Sequence, residues 1–510
     1  MPEFHVADLS DLTESQPKGV DAGGTPVVLV RQADAVHALA GNCPHRGVPM
    51  EKGTVVGDRI ICGIHRAAFA LSSGKLLSPP ACENLARYDV RVDGDAVHVT
   101  VDEDTESHPL PAMTKGGSEE RLFVILGNGA AGWRAAETLR REGFEGKITV
   151  VTDETERPLD RTEFSKSYLG SSDEPEAPFL RDADLASEYG IEIATFTATA
   201  LDPKTNTLHG GAGESLTYDS LFIATGSDAA TLNIPGKDLA GIHTLRTLED
   251  AEALRADLQV FLKDGEAKVA IIGAGFIGLE AAASLSGQKN VSVTVVAMED
   301  KPMLKLFGES FADRLMKEHE DAGVTFRTRA KTVGFSGEGR LSAVEIDGGS
   351  AVAADLVIVA VGARPRTNWL PFERDADGGI SVNADLSVPG YDNIFVGGDI
   401  ARVPTKWGHV RIEHWRFAQE LGELAARNML GAGANYDGTP FFWTAQQIEG
   451  SYFYTGHADS FDRIEGAPEG GQFASRYIKD GKVTAVLQHG IDDEVTALER
   501  GMAGQGPVPA

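Results

Sequence analysis

Cysteine is scarce in this chain of 510 residues: Cys43, Cys62 and Cys82 are the only three, and none follows residue 82. A small secreted scaffold stapled by disulfides is excluded, and the expected compartment is a reducing cytoplasm. Positive charge is also short. Lys and Arg number 47 against 76 Asp and Glu, a formal net charge of −29. A polyanion of that strength repels phosphate backbones and anionic lipid surfaces, so neither nucleic acid nor a membrane surface is an expected partner. No uncharged apolar run approaches the roughly 18–20 residues that a membrane helix needs, and no membrane insertion is expected. Glu3, Asp8 and Asp11 leave no room for an apolar leader, so no secretory signal is expected.

What is present is an ordinary hydrophobic content, 42%, enough for real cores. The length suggests about three or four domains. Glycine, at 58 residues, is the one abundance above average and points to tight backbone turns. Residues 1–102 read as short strands and turns. Thr25–Arg31 is apolar and β-branched, and Tyr88–Asp93 alternates with period two, so a small all-β domain is expected. Residues 103–119 are polar, with prolines and glycines, and read as a linker.

From Arg121 apolar runs alternate with helical patterns, the mark of parallel α/β units. The pattern repeats itself. A strand at Leu122–Leu126 precedes Gly127-x-Gly129-x-x-Gly132 and a helix; a strand at Lys268–Ile272 precedes Gly273-x-Gly275-x-x-Gly278 and a helix. In such a turn the first glycine makes the bend, the second lets backbone reach a pyrophosphate, and the third lets helix pack on strand. The helix N-terminus faces the phosphates with its positive end. Asp153 lies 21 residues past Gly132 and Glu299 lies 21 past Gly278, the place for a carboxylate on ribose hydroxyls. Glu154 and Asp300 adjoin them, so each assignment is open by one position. Two dinucleotide-binding folds are expected. Residues 436–500 look strand-rich and aromatic, and Gly501–Ala510 is expected to fray.

In the first domain Cys43-Pro-His45 is followed 16 residues later by Cys62-Gly-Ile-His65. Two thiolates and two imidazoles on neighbouring loops suit a cluster with two Cys on one iron and two His on the other. They suit tetrahedral zinc equally well. The surroundings resemble a Rieske domain over about 100 residues: Cys43-Pro-His-Arg-Gly47, Cys62-x-x-His65 with Phe69 after it, Ser73-Gly-Lys75 and Ser78-Pro-Pro80. The resemblance implies one [2Fe-2S] cluster per subunit on Cys43, His45, Cys62 and His65. The chain departs from that family at Gly63 and Arg66, where Pro and Gly are usual. Val48 and Ile64 replace the extra cysteine pair of respiratory Rieske proteins, which implies a ferredoxin-type cluster of lower potential. Cys82 is left over and is expected to be a small buried hydrophobe.

From Arg121 onward the chain resembles flavin-dependent pyridine-nucleotide reductases of the two-dinucleotide-domain type. The marks are Ala224-Thr225-Gly226, Val361-Gly362-Ala-Arg-Pro365 and Asn393-Ile-Phe-Val-Gly-Gly-Asp399. The resemblance implies FAD on Gly127, Gly129, Gly132, Asp153 and Asp399, the nicotinamide cofactor on Gly273, Gly275, Gly278 and Glu299, and further cofactor-binding positions at Thr225, Gly226 and Gly362. Met298-Glu-Asp-Lys301 is mostly acidic, whereas a ribose 2′-phosphate wants arginine. NADH is therefore expected ahead of NADPH, with Lys301 and Lys305 leaving NADPH open. Pro158-Leu-Asp-Arg161 through Ser165-Lys166 is similar to a segment of the ferredoxin reductases that serve oxygenases and of apoptosis-inducing-factor-like proteins. That likeness implies Arg161 in the cofactor site and Lys166 near the flavin N5, paired with Glu280. Arg411-Ile-Glu-His-Trp415 and Phe442-Trp443-Thr-Ala-Gln446 also match, and imply Trp443 as a flavin contact. The expected architecture is a Rieske domain (1–102), a linker (103–119), an FAD-binding domain in two parts (120–246 and 373–432), an NAD(P)H-binding domain (247–372) and an α+β C-terminal reductase domain (433–510).

With no cysteine beyond Cys82, neither a redox cysteine pair nor a sulfenate cysteine is available beside the flavin. The expected activity is electron transfer from NADH through FAD to the cluster, and on to an external acceptor, a protein, such as an oxygenase, or a small molecule. Two other readings stand beside it: a redox-sensing regulator like apoptosis-inducing factor, and an NADH oxidase reducing oxygen directly. The oligomeric state stays open.

Overall fold

The computed structural model describes residues 2–102, 104–446, 448, 450–490, 501–502 and 508–509. The chain divides into two compact units, Met1–Lys115 with Glu137–Glu145, and Gly116–Ala136 with Gly146–Ala510.

The first unit is built on a six-stranded antiparallel sheet. Its order is Glu3–Asp8, Ala96–Thr100, Arg87–Asp93, Ala35–Ala40, Thr25–Gln32 and Lys18–Ala22. Val27–Val30 are all buried, so this strand, next to the sheet edge, is covered on both faces and reads as a continuous apolar run rather than an alternation. A second sheet of four short strands, Thr54–Val56, Arg59–Ile61, Ala68–Ala70 and Leu76–Ser78, carries the other half of the core. Cys43 and Cys62 belong to this core. Between Thr100 and Leu122 the described residues form no helix or strand.

The second unit contains two parallel five-stranded sheets with the same plan. One runs in the order Ile191–Thr195, Lys147–Thr152, Leu122–Leu126, Ser220–Ile223 and Ile394–Val396. The other runs Thr325–Arg327, Val291–Val296, Ala267–Ile272, Leu356–Val359 and Ile242–His243. The repeat goes deeper than the glycine motifs. Each sheet has a three-stranded antiparallel meander inserted before its fourth strand, at Ala198–Thr217 and at Thr332–Ala353. The helices Ala130–Arg141 and Phe276–Ser286 follow the strands Leu122–Leu126 and Ala267–Ile272. In both sheets strand order reverses beside the first strand, and the crevice at the carboxyl ends there is where open α/β sheets bind ligands.

The last sheet is antiparallel, in the order Phe441–Ala445, Ser451–Gly456, Lys482–His489, Phe473–Lys479 and Arg463–Glu465. Tyr452, Tyr454, Phe473 and Tyr477 pack with Phe307 and Phe311 in one aromatic core. The C-terminal segment departs from the expected fraying: Val508–Pro509 pair with Lys482–Val483, and Met502 is buried among Ile478, Val483 and Val486. Its remaining residues, and 491–500, lie outside the described ones. Cys82 also departs from expectation: it is half-buried rather than buried, with its thiol 3.7 Å from the Pro80 carbonyl.

Candidate functional site

The two glycine turns superimpose in their demands. Gly127 and Gly273 adopt φ of +113° and +110°, a region that glycine enters without the penalty of a Cβ. A Cβ on Gly132 would sit 1.8 Å from the Gly127 carbonyl oxygen, and one on Gly278 would press on the Gly273 oxygen; here helix and strand touch through backbone. Gly129 and Gly275 are different, because a Cβ on either meets nothing within 4 Å. An opening of this kind at a helix N-terminus is where a dinucleotide fold lets backbone meet a pyrophosphate.

A cavity of about 1010 Å³ opens at this end of the sheets. That lies at the upper limit of ordinary ligand sites and suits a dinucleotide. Its wall includes Gly127, Gly129, Asp153, Arg161, Lys166, Thr225, Gly226, Gly275, Glu280, Gly362, Asp399 and Trp443. Gly132, Gly273 and Gly278 stand behind it as packing positions. Glu299 is outside it and exposed. Its neighbour Asp300 takes a two-pronged contact from Arg329, 2.7 Å on each arm. Lys301, one of the two lysines that left NADPH open, is held by Glu309 at 2.9 Å and Asp313 at 2.7 Å.

Beside the expected Arg161, the cavity wall carries three arginines that sequence reading missed, Arg246, Arg366 and Arg411. Arg366 pairs with Asp153, and this contact raises the arginine further above its ordinary pKa. Arg161 meets Glu154 at 2.5 Å. Arg246 reaches Asp399 at 2.8 Å and the Ser227 carbonyl at 2.8 Å. Arg411 donates to the Asp399 carbonyl at 2.9 Å. All four line the cavity, and each is held by a carboxylate of the chain. Arg366 directly follows the Val361–Pro365 motif, which was a usable signal; Arg246 has no local signature.

Lys166 Nζ lies 2.8 Å from Glu280 Oε2 and 2.8 Å from the Thr162 carbonyl. The loop before it is a 3-10 turn at Arg161–Glu163 closed by Asp160, whose side chain accepts from the Thr162 N–H at 3.0 Å. Trp443 stands edge-on to His414, ring centres 4.4 Å apart. Burial draws the His414 imidazole down to about 3, helped by the nearby Arg416, so the ring is neutral.

In the first unit two loops have one design. Gly47 N–H bonds the Cys43 carbonyl at 2.8 Å, and Cys43 N–H bonds the Val48 carbonyl at 2.8 Å. Arg66 N–H bonds the Cys62 carbonyl at 3.2 Å, and Cys62 N–H bonds the Ala67 carbonyl at 2.8 Å. The fourth residue after each cysteine is left-handed, Gly47 at φ +69° and Arg66 at φ +64°. The departure at Arg66 therefore falls where the backbone favours glycine, at a cost of about 1 kcal/mol. The loops bring His45 Nδ1 and His65 Nδ1 to 3.0 Å. Two nitrogens bound tetrahedrally to one metal at about 2.1 Å stand roughly 3.4 Å apart, so the imidazoles are placed to share one iron. Burial holds His45 at about 3, in its neutral, ligating form. The two buried thiols share a hydrogen bond that lowers Cys62 and raises its partner Cys43, so without a metal the pair favours a single thiolate. The donor set fits a cluster with two sulfur and two nitrogen ligands.

The twin sheets, the open glycine turns and the large cavity define a flavin-dependent pyridine-nucleotide oxidoreductase, and the paired loops define a Rieske domain. The chain belongs to the pyridine nucleotide-disulphide oxidoreductase family, which matches residues 122–422; residues 3–89 match the Rieske [2Fe-2S] domain. It is 34% identical to Apoptosis-inducing factor 3 of Homo sapiens over 98% of this chain and 84% of that protein. It is 33% identical to rhodocoxin reductase of Rhodococcus erythropolis, over 64% of this chain and 75% of that one. Among solved structures, the covalent putidaredoxin reductase–putidaredoxin complex has a TM-score of 0.70 at 27% identity, covering 77% of this chain and 95% of that chain. The protein is an oxidoreductase that uses FAD and NAD(P)H and carries a [2Fe-2S] cluster. No helix among the described residues is long and apolar enough to cross a membrane.

Proposed function

We propose that this protein moves electrons from NADH by way of its flavin to its own Rieske cluster and on to an external one-electron acceptor. The observation that carries this reading is the cavity wall. It presents a half-buried lysine, Lys166, paired with the buried Glu280, and no thiol, while the same chain carries four cluster ligands in its first unit. When bound, FAD accepts a hydride and releases its two electrons one at a time. The chain's residues supply the rest. Gly127 and Gly129, with the helix that opens after them, take the flavin nucleotide's phosphates, and Asp399, fixed by Arg246 and Arg411, takes its polyol. Gly275 and the wall at Gly362 receive the nicotinamide nucleotide. Lys166 places positive charge at the wall, where negative charge on a reduced flavin is stabilised. Tethering the cluster to the flavoprotein raises its effective concentration at the flavin.

NADH is favoured over NADPH because the cations nearest the second acidic position are already neutralised, Arg329 by Asp300 and Lys301 by Glu309 and Asp313. The proposed acceptor is a one-electron carrier or oxygenase component; the benzene 1,2-dioxygenase reductase subunit of Pseudomonas putida is a relative at 33% identity. A second reading, a redox-sensing regulator, has one observation in its favour: the human Apoptosis-inducing factor 3 relative spans both units, whereas the reductases align over about two thirds of the chain. Anaerobic titration with NADH, followed by visible and EPR spectra, tests the proposal. Flavin bleaching followed by a reduced Rieske signal supports the relay. Bleaching without that signal overturns it, and slow turnover through a long-lived NADH complex then favours the sensor.

A further inference from the structure

Glu280 is 5% exposed, yet its carboxylate accepts four hydrogen bonds from two other segments of the chain. Oε2 accepts from the Ser165 hydroxyl at 2.6 Å and the Lys166 ammonium at 2.8 Å. Oε1 accepts from the Thr444 hydroxyl at 3.0 Å and the Ala445 N–H at 3.3 Å. Thr444 and Ala445 lie on the strand Phe441–Ala445, which also carries Trp443. Behind Thr444, the Gln446 amide donates to the Thr444 oxygen at 2.5 Å, and Gln446 is fully buried. The direction is therefore set: Gln446 donates to Thr444, and Thr444 donates to Glu280.

This chain of donors holds Oε1 away from Lys166. The lysine keeps one N–H on Oε2 and one on the Thr162 carbonyl, which leaves the third for the cavity it lines. Without Thr444, Oε1 keeps only the longer bond from the Ala445 N–H, and the carboxylate is freer to turn that oxygen toward Lys166 and draw the ammonium back from the wall. We propose that Thr444, supported by Gln446, is a positioning residue. It restrains Glu280 so that the ammonium of Lys166 stays presented to the flavin, and it ties the C-terminal sheet to the redox site. The inference rests on the reading that the cavity holds FAD with Lys166 beside its ring. A buried carboxylate bond of this kind is worth enough to matter, since hydrogen bonds to charged groups are among the strong ones.

The test uses the full-length holoprotein. FAD affinity is measured on the flavin-stripped protein, and the reduced-to-oxidised flavin ratio is read at equilibrium with a dye of known potential. Thr444→Val is expected to lower that ratio about tenfold at a fixed potential while FAD affinity stays within about twofold. Thr444→Ser, which keeps the hydroxyl, is expected to match the wild type, and Lys166→Gln to lower the ratio further. A lowered ratio in Lys166→Gln with none in Thr444→Val overturns this proposal alone. A Thr444→Ser variant as perturbed as Thr444→Val also overturns it, because the methyl packing is then what matters. An unchanged ratio in Lys166→Gln overturns the place of Lys166 beside the flavin, and this proposal with it. Where Thr444→Val does not fold, Gln446→Leu is read the same way: a lowered ratio supports the restraint and an unchanged one overturns it.

Discussion

Adding one methyl group separates the two jobs of the glycine turn. At Gly129 the new Cβ meets no protein atom within 4 Å, and the residue is absent from the left-handed positions. Gly129→Ala therefore costs the apoprotein nothing in packing and favours its folded state by about 0.4–1 kcal/mol, through a less flexible unfolded chain. The same methyl fills the space through which a pyrophosphate approaches the helix N-terminus, so FAD affinity is expected to fall at least tenfold, about 1.4 kcal/mol. At Gly132 the Cβ lies 1.8 Å from the Gly127 oxygen, against an ordinary contact of roughly 3.5 Å. Both sides of that contact are backbone, so helix Ala130–Arg141 must retreat from strand Leu122–Leu126. Gly132→Ala is expected to cost about 1–3 kcal/mol or more. The assay is thermal unfolding of the flavin-free proteins, with flavin titration read by fluorescence. Gly129→Ala unfolds at or above the wild-type temperature but binds FAD weakly; Gly132→Ala loses both. A Gly129→Ala protein with wild-type FAD affinity refutes the cradle argument, and a Gly132→Ala apoprotein as stable as wild type refutes the packing argument. Gly275→Ala is the internal control: it keeps the flavin and weakens NADH.

Cys43→Ser removes a cluster ligand and is expected to abolish reduction of one-electron acceptors while flavin bleaching by NADH survives; equal loss of both counts against the relay. The buried pair Arg134–Glu423, 2.8 Å between Nε and Oε1, sets up a second expectation. Glu423→Ala takes a paired carboxylate from a guanidinium that is 2% exposed and should cost about 3–5 kcal/mol in denaturant titration, an estimate that a loss below 1 kcal/mol (a rough threshold) contradicts. His319 is fully buried, and burial depresses its pKa below the ordinary 6.5 despite two facing carbonyls. The unfolded ring takes up a proton that the folded ring does not, so this contribution is present above about 6.5 and lost as pH falls, by up to about 1.4 kcal/mol per pH unit until the folded pKa is passed. His319→Phe should flatten that part of the urea-midpoint profile, and an unaltered slope argues against it. Finally, Glu299→Ser is expected to raise kcat/KM for NADPH relative to NADH; an unchanged ratio places the selection elsewhere.

The features legible in the sequence were those a few residues of backbone dictate. A glycine turn between a β-branched strand and a helix needs φ values and close approaches that only Gly127, Gly132, Gly273 and Gly278 allow, so spacing alone exposed both dinucleotide folds. The cluster loops were visible for a similar reason: each places its Cys and His within four residues, and the backbone bonds that shape it are local. Partnership across the fold was not written in any spacing. Arg246 meets Asp399 across 153 residues, Arg366 meets Asp153 across 213, and Thr444 meets Glu280 across 164. Each partner looks like an ordinary polar residue until sheet order and strand register set it against the other. The pairing of Lys166 with Glu280 was implied only by resemblance, and the sequence placed Glu299 at the end of its strand without revealing that it stays exposed outside the cavity. Local conformational energy depends on neighbours along the chain and can be read from them. Burial, charge pairing and the shape of the cavity depend on neighbours in space, and only the folded chain selects those.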